Sequence, residues 1–245
     1  MTSGMQSAAL LTIRTMDEDT RAKRHFAEEL NNLKQRLAAM GRLVEERMRL
    51  AIRALIDRDV SATRTVIDGD REIDHLQVEI DESCFTLLAL HQPVAVDLRS
   101  IVAAVKINSD LERVGDLAVN IAEATQRYLS HPPMKTLVDI QRMADLAQAM
   151  LHDALDSFVT QNVAAARSVL NRDDALDELK MEVFREFLSY MLADARTIAA
   201  ALNIILVSRH LERVGDHATN IAEDVIFIVA AQDVRHVAVA PEVTS

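Results

Sequence analysis

The sequence predicts an all-α protein built as two tandem, homologous three-helix bundles, and three observations carry that expectation. Leu111 to Glu123 reads LERVGDLAVNIAE, and one hundred positions later Leu211 to Glu223 reads LERVGDHATNIAE, with two positions changed. A repeat of this kind places each copy in an equivalent structural unit, and a period this long indicates a duplicated domain rather than a solenoid. Apolar residues make up 49% of the 245, aromatics 3%, and there are five glycines and four prolines. Such a composition builds cores from Leu, Ile, Val, Met and Ala, and lacks the turn residues of a β protein. Two of the prolines, Pro132 and Pro133, break the chain near its middle, since neither continues a helix.

Each element follows from local pattern. Residues 1–23 mix Ser, Thr, Gly and charges without sustained periodicity and are expected to form a flexible extension. From Arg24, Phe26, Leu30, Leu33, Leu37, Met40, Val44, Met48, Ala51 and Leu55 alternate in threes and fours, the seam of a long bundle helix. Asp57-Arg58-Asp59 and Asp68-Gly69-Asp70 bracket a short helix. A second long helix runs from Asp70 to Leu90 and ends at Gln92-Pro93, and a third, from Val94 to Tyr128, carries the first motif copy.

After the proline pair the order returns. A helix spans Thr136 to Thr160, a short one Val163 to Asn171, a long one Asp173 to Met191, and a last one Arg196 to Ala231. The second copy has about three residues fewer between its second and third long helices. The bundles are therefore 24–131 and 134–231, followed by a flexible tail over 232–245.

Charge and cysteine content narrow the functions available. A formal net charge of −11 disfavours nucleic acid as a partner and favours cations or basic protein surfaces. Cys84 is the only cysteine, so no intrachain disulfide forms, and its apolar neighbours predict a packed thiol. The N-terminus lacks the basic region of a signal sequence and no apolar run is long enough to span a bilayer, which predicts a soluble, cytoplasmic protein. Gly-rich phosphate loops, serine nucleophile elbows and His-Glu-x-x-His zinc spacing are missing, so no catalytic residue is assigned.

The chemistry lies in the repeat. At about 100° per residue, Glu112, Asp116, Asn120 and Glu123 fall within an arc of roughly 80°. Leu111, Val114, Ala118, Ile121 and Ala122 lie nearly opposite and are expected to face the core, and the second copy repeats both faces with Glu212, Asp216, Asn220 and Glu223. Like charges one turn apart cost a helix about 0.2–0.5 kcal/mol. Arg113 and Arg213, three residues before Asp116 and Asp216, offer a plain salt-bridged explanation. The preceding helix adds Asp70 and Asp74, with Asp81 on the same stripe, and Asp173 and Asp177 in the second bundle. Carboxylate pairs at one-turn spacing on two adjacent helices suit oxygen-preferring divalent cations. Lys180 and Phe184 share the stripe with Asp173 and Asp177, making the second face the weaker one.

Other residues separate less sharply. Gly115 and Gly215 cost helix stability, which predicts a close approach to the backbone there. His210 and His217 lie around the helix from the carboxylates, where core-edge or interface packing is expected rather than ligation. Asn120 and Asn220 stand equally as oxygen donors near a metal or as surface amides. Glu72-Ile73-Asp74-His75 matches half of a di-iron Glu-x-x-His signature, but the second bundle has no equivalent.

The two LERVGD-x-A-x-NIAE copies, with His210 before the second, resemble the PhoU family, as do Gln92-Pro93-Val94-Ala95 before Asp97-Leu98-Arg99 and Asp194-Ala195-Arg196-Thr197-Ile198. The similarity runs from His25 to Val229. It implies a duplicated three-helix bundle that accompanies a phosphate-specific ABC transporter and acts as a negative regulator of phosphate uptake and of the phosphate-starvation two-component response. The implied partners are the transporter's ATPase subunit, the sensor histidine kinase and a second copy of the chain, with membrane contact only through them. Multinuclear metal clusters are implied on the acidic faces: Asp70, Asp74, Glu112 and Asp116 on one, and Asp173, Asp177, Glu212 and Asp216 on the other. The metal is left open among Mg, Mn, Fe and Zn. The residues alone also allow a metal-dependent hydrolase or oxidase, or a metal-free adaptor with acidic docking stripes.

Overall fold

The computed structural model describes the backbone of residues 3–134 and 137–234, with side chains from Arg24 onward. Its helices are α1 (Ser3–Ile56), α2 (Val60–Asp68), α3 (Asp70–His91), α4 (Ala95–Leu129), α5 (Val138–Thr160), α6 (Val163–Leu170), α7 (Asp173–Ala193) and α8 (Ile198–Ala230), with a 3-10 turn over Ala195–Thr197. Among the described residues there is no strand. Each half is thus three long helices with one short helix between the first two, as the periodicity predicts. One boundary differs: α1 is helical from Ser3, well before the expected start near Arg24. Side chains of the expected flexible extension, and the expected tail beyond Val234, lie outside the described residues.

The short helices show how the duplication is written locally. Asp59 accepts from the amides of Ser61 and Ala62 at 2.8 and 3.2 Å, capping α2. Asn162 does the same for α6 through Ala164 and Ala165 at 3.0 and 3.1 Å. A side-chain oxygen at this position satisfies amides that the helix itself leaves open. The next long helix in each half begins without a side-chain cap and opens with a carboxylate, Asp70 in α3 and Asp173 in α7. The positive end of a helix tolerates charge there.

The core sits on the apolar seam of each long helix. Leu37, Met40, Val44 and Met48 of α1 are fully buried, as are Leu111, Val114, Ala118, Ile121 and Ala122 of α4 and their counterparts in α8. Cys84 is buried as expected, and burial pushes its thiol up to about 12. The two bundles share one continuous apolar core because α4 and α8 pack along each other, the most extensive helix pairing in the molecule. They run antiparallel: Lys106 meets Asp224, Asp110 meets His217, and Arg127 meets Asn203. On another side α1 and α5 touch, with Leu155 against Gly41 and His152 Nδ1 2.9 Å from Glu45 Oε1.

The connection between the halves is held by Arg58, whose φ of 57° turns the end of α1 towards it. Its guanidinium donates to the carbonyls of Leu129 and His131 at 3.2 and 2.8 Å and lies 5.1 Å from the centre of the Tyr128 ring. Tyr128 Oη in turn accepts from the Met134 amide at 3.0 Å.

Candidate functional site

The structure brings the eight sequence-predicted carboxylates into two groups of four, one on the α3–α4 face and one on the α7–α8 face. The glycines make this approach possible. A Cβ at Gly115 would stand 3.0 Å from Ile73 Cδ1 and 3.7 Å from Asp70 Oδ1, so α3 seats its first turn directly on the α4 motif. A Cβ at Gly215 would collide with Leu176 Cδ2 of α7. The close approach expected at both glycines is therefore real, and the approaching group is the neighbouring helix. Both glycines are buried rather than solvated.

On the first face, Asp70, Glu112 and Asp116 are half-buried and Asp74 is exposed. Burial, then the charges of Asp74 and Asp116, push the Asp70 carboxyl above its usual range. Glu112 is pushed up by burial first and then by Asp116, with Asp74 and Asp70 adding to it and Arg113 opposing. Glu112 Oε2 is buried and accepts no hydrogen bond, the nearest cation being Arg113 Nε at 3.4 Å. Arg113 also reaches Asp116 Oδ2 at 3.2 Å, as its spacing predicts, but it is 56% exposed. A mostly solvated guanidinium compensates such a cluster weakly.

The second face has the same acids and a different cation. Asp173 is pushed up by burial, then by Asp177, Asp174 and Glu212, with Lys180 opposing. Asp216 is pushed up by burial, Glu212 and Asp173, with His217 opposing. Lys180 Nζ lies 2.7 Å from Asp177 Oδ1 and 2.7 Å from Glu212 Oε1, bridging α7 to α8. Arg213 joins none of these pairs: Lys180 of the neighbouring helix takes Asp177 and Glu212, and the positive charge acting on Asp216 is that of His217 rather than the expected Arg213.

Three further residues of the stripes find partners outside the two groups. Asp81 does not complete the first group; its Oδ1 accepts from Asn108 Nδ2 at 2.9 Å, sharing with the Gln77 carbonyl the donor of a fully buried side chain between α3 and α4. Asn220 turns towards α4 and donates to Asp110 Oδ1 at 3.3 Å, away from the carboxylate stripe. Glu123 lies 3.7 Å from Arg127 on its own helix. His217 packs at the α4–α8 interface, as expected, with Nδ1 2.8 Å from Asp110 Oδ1 and both residues 15% exposed. His210 is half-buried with no hydrogen bond at Nδ1, and burial, then Arg213, Arg209 and Arg127, hold its pKa down.

Chemically, each face is a set of carboxylate oxygens from two helices, in which burial and neighbouring acids push Asp70 and Glu112, or Asp173 and Asp216, above the usual carboxyl range. Among the described residues no three His, Cys, Asp or Glu side chains already converge as a metal-binding set. On the first face the positive charges are Arg113, mostly exposed, beside Glu112 and Asp116, and Arg47, which acts on Asp70, whereas on the second Lys180 bridges the two helices.

Comparison with known proteins agrees with this architecture. The PhoU domain family model matches twice, over residues 37–125 and 140–225. A Caulobacter vibrioides protein described as a phosphate-specific transport system accessory protein PhoU homolog is 42% identical over 209 residues, covering 85% of this chain and 91% of the relative. The Serratia marcescens phosphate-specific transport system accessory protein PhoU is 35% identical over 211 residues, covering 86% and 87%. The crystal structure of PhoU from Pseudomonas aeruginosa superposes with a TM-score of 0.82 at 38% identity, over 84% of this chain and all of that one. That of the phosphate transport system regulatory protein PhoU from Streptococcus pneumoniae does so at 0.79 and 28% identity, over 85% and 98%. With both repeats matched and the fold shared along nearly its whole described length, the chain belongs to the PhoU family.

Proposed function

We propose that this chain is the accessory protein of a phosphate-specific ABC transporter, and that it represses phosphate uptake and the phosphate-starvation two-component response when phosphate is plentiful. The observation that carries the reading is the 42% identity, over 91% of its length, to a relative described as a phosphate-specific transport system accessory protein. The word "regulatory" in the name of the Streptococcus pneumoniae relative points the same way. In this reading the chain acts by contact rather than by catalysis. Its partners are the transporter's ATPase subunit, a sensor histidine kinase and a second copy of itself. It works in the cytoplasm and meets the membrane only through partners, consistent with the lack, among the described residues, of any helix long and apolar enough to cross one.

Divalent metal belongs to the same reading. The donors on the first face are all carboxylate oxygens, which suit a hard or borderline cation. Glu112 Oε2, buried without a hydrogen bond and paired only with the exposed Arg113, and the raised pKa values of Asp70 and Glu112 mark a place that a further positive charge would stabilise. Asp70, Asp74, Glu112 and Asp116 would hold metal there, and Asp173, Asp177, Glu212 and Asp216 are the corresponding residues of the second face. A bound cation supplies charge neutralisation and ties α3 to α4.

Deleting the gene should raise alkaline phosphatase, or another starvation output, in phosphate-rich medium. An unchanged output in a strain with no second copy of the gene overturns the regulatory reading. For metal, the purified protein should show a divalent-dependent rise in melting temperature that the double variant E112Q/D116N loses. No shift with Mg, Mn, Fe or Zn would leave an acidic face neutralised by Arg113 alone.

A further inference from the structure

We propose that Lys180 is a tethered cation that takes the place of a divalent metal on the second acidic face, so that the two faces of this protein differ in metal occupancy. The inference rests on the metal reading of the first face and adds what sets the second apart.

The equivalence of positions is given by the packing. Ile73 meets Gly115 and Leu176 meets Gly215, which aligns α3 with α7 residue by residue. Asp70 and Asp74 then correspond to Asp173 and Asp177, and Lys180 corresponds to Gln77. The first face thus has a neutral amide where the second has an ammonium. The Lys180 side chain is 28% exposed, and its Nζ sits 2.7 Å from an oxygen of Asp177 and 2.7 Å from one of Glu212. Those two residues are the counterparts of Asp74 and Glu112, one from each helix of the face.

An ammonium and a metal ion compete for these oxygens. Lysine binds a carboxylate oxygen at about 2.7–2.9 Å through a proton, while a small divalent ion needs the same oxygen at roughly 2.0–2.2 Å. An ammonium seated between the two carboxylates takes one oxygen of each and repels an incoming divalent ion. Being part of the chain, Lys180 is always present at a high effective concentration, so a metal ion binds there against its charge or displaces it. The arginines reverse roles accordingly. Arg113 pairs with Glu112 and Asp116 on its own helix, whereas Arg213 joins no pair on a face that Lys180 already neutralises. The α7–α8 face is therefore held together without metal, and the α3–α4 face responds to it.

The test titrates metal-stripped full-length protein with Mn2+, following heat of binding and melting temperature. The variant E112Q/D116N removes the first face and should bind Mn2+ only weakly. Adding K180Q to that background installs the residue of the first face and should raise the remaining affinity on the order of tenfold or more, since a competing positive charge leaves the site. The reciprocal variant, Q77K in the otherwise native chain, should weaken first-face binding by a similar factor, and it keeps the test decisive if the triple variant does not fold. Unchanged second-face affinity with K180Q, or unchanged first-face affinity with Q77K, overturns the role of Lys180 while leaving metal on the first face intact. Failure of the native protein to bind Mn2+ at all overturns the metal reading and this inference with it.

Discussion

Lys106 of α4 places its ammonium 2.6 Å from Asp224 Oδ1 of α8, joining the two bundles through a carboxylate that is only 8% exposed. The repeat puts Leu206 and Ala124 at the equivalent positions, so the matching contact on the other side of the α4–α8 pairing has no charge. Replacing Lys106 with Met removes a partner from a buried carboxylate and should destabilise the fold by about 1–3 kcal/mol. The variant K106L/D224A copies the other side and should recover most of that loss. Urea unfolding of both measures the difference; equal losses would show that the pair contributes nothing beyond its parts.

The two signature glycines should not be equivalent. Alanine gains about 1 kcal/mol over glycine in a helix, and overpacking a core costs about 1–3 kcal/mol. At Gly215 the new methyl would overlap Leu176 Cδ2, and Leu176 is 1% exposed with little room to move. At Gly115 the nearest atom is 3.0 Å away and belongs to the end of Ile73. G215A should therefore be net destabilising by about 1–2 kcal/mol, and G115A close to neutral. Thermal melts in the absence of metal decide; the reverse order would show that α7 yields more easily than α3.

The raised carboxyls of Asp70, Glu112, Asp173 and Asp216 predict the direction of a pH effect. Each holds its proton to higher pH folded than unfolded. Its contribution to stability is thus fully present below the unfolded pKa and lost as pH rises through the folded pKa. At neutral pH without metal, E112Q should melt above the native protein, and this advantage should shrink as pH falls into the ordinary glutamate range. A melting difference that does not change with pH would mean that Glu112 is not under strain from its neighbours. Divalent metal at neutral pH should reverse the order, because only the native chain gains a ligand-dependent term.

Arg58 ties the connection between bundles to the end of α1 with two hydrogen bonds and a face-on contact with Tyr128. R58A should cost about 1–2 kcal/mol and speed proteolysis near His131 to Met134. An unchanged cleavage rate there would show that Tyr128 and Met134 hold the connection by themselves.

What the sequence determined by itself was everything written in short-range periodicity. The thirteen-residue repeat, the three-and-four spacing of Leu33 to Leu55, the caps at Asp59 and Asn162 and the stop at Pro132-Pro133 are local signals, and the helices and their apolar faces follow from them. Glu112 with Asp116, and Asp70 with Asp74, share a face because residues one turn apart must. The tertiary structure alone decided which side chains of different helices meet. Asp81, in register with Asp70, was drawn to the buried amide of Asn108 instead; Asn220 turned to Asp110; Lys180 reached across to Glu212. The physical reason is that a helix sets the angle of its side chains about its own axis, whereas the rotation and register between helices come from packing such as Ile73 on Gly115 and Leu176 on Gly215. Those contacts are long-range, and no spacing within a single helix contains them.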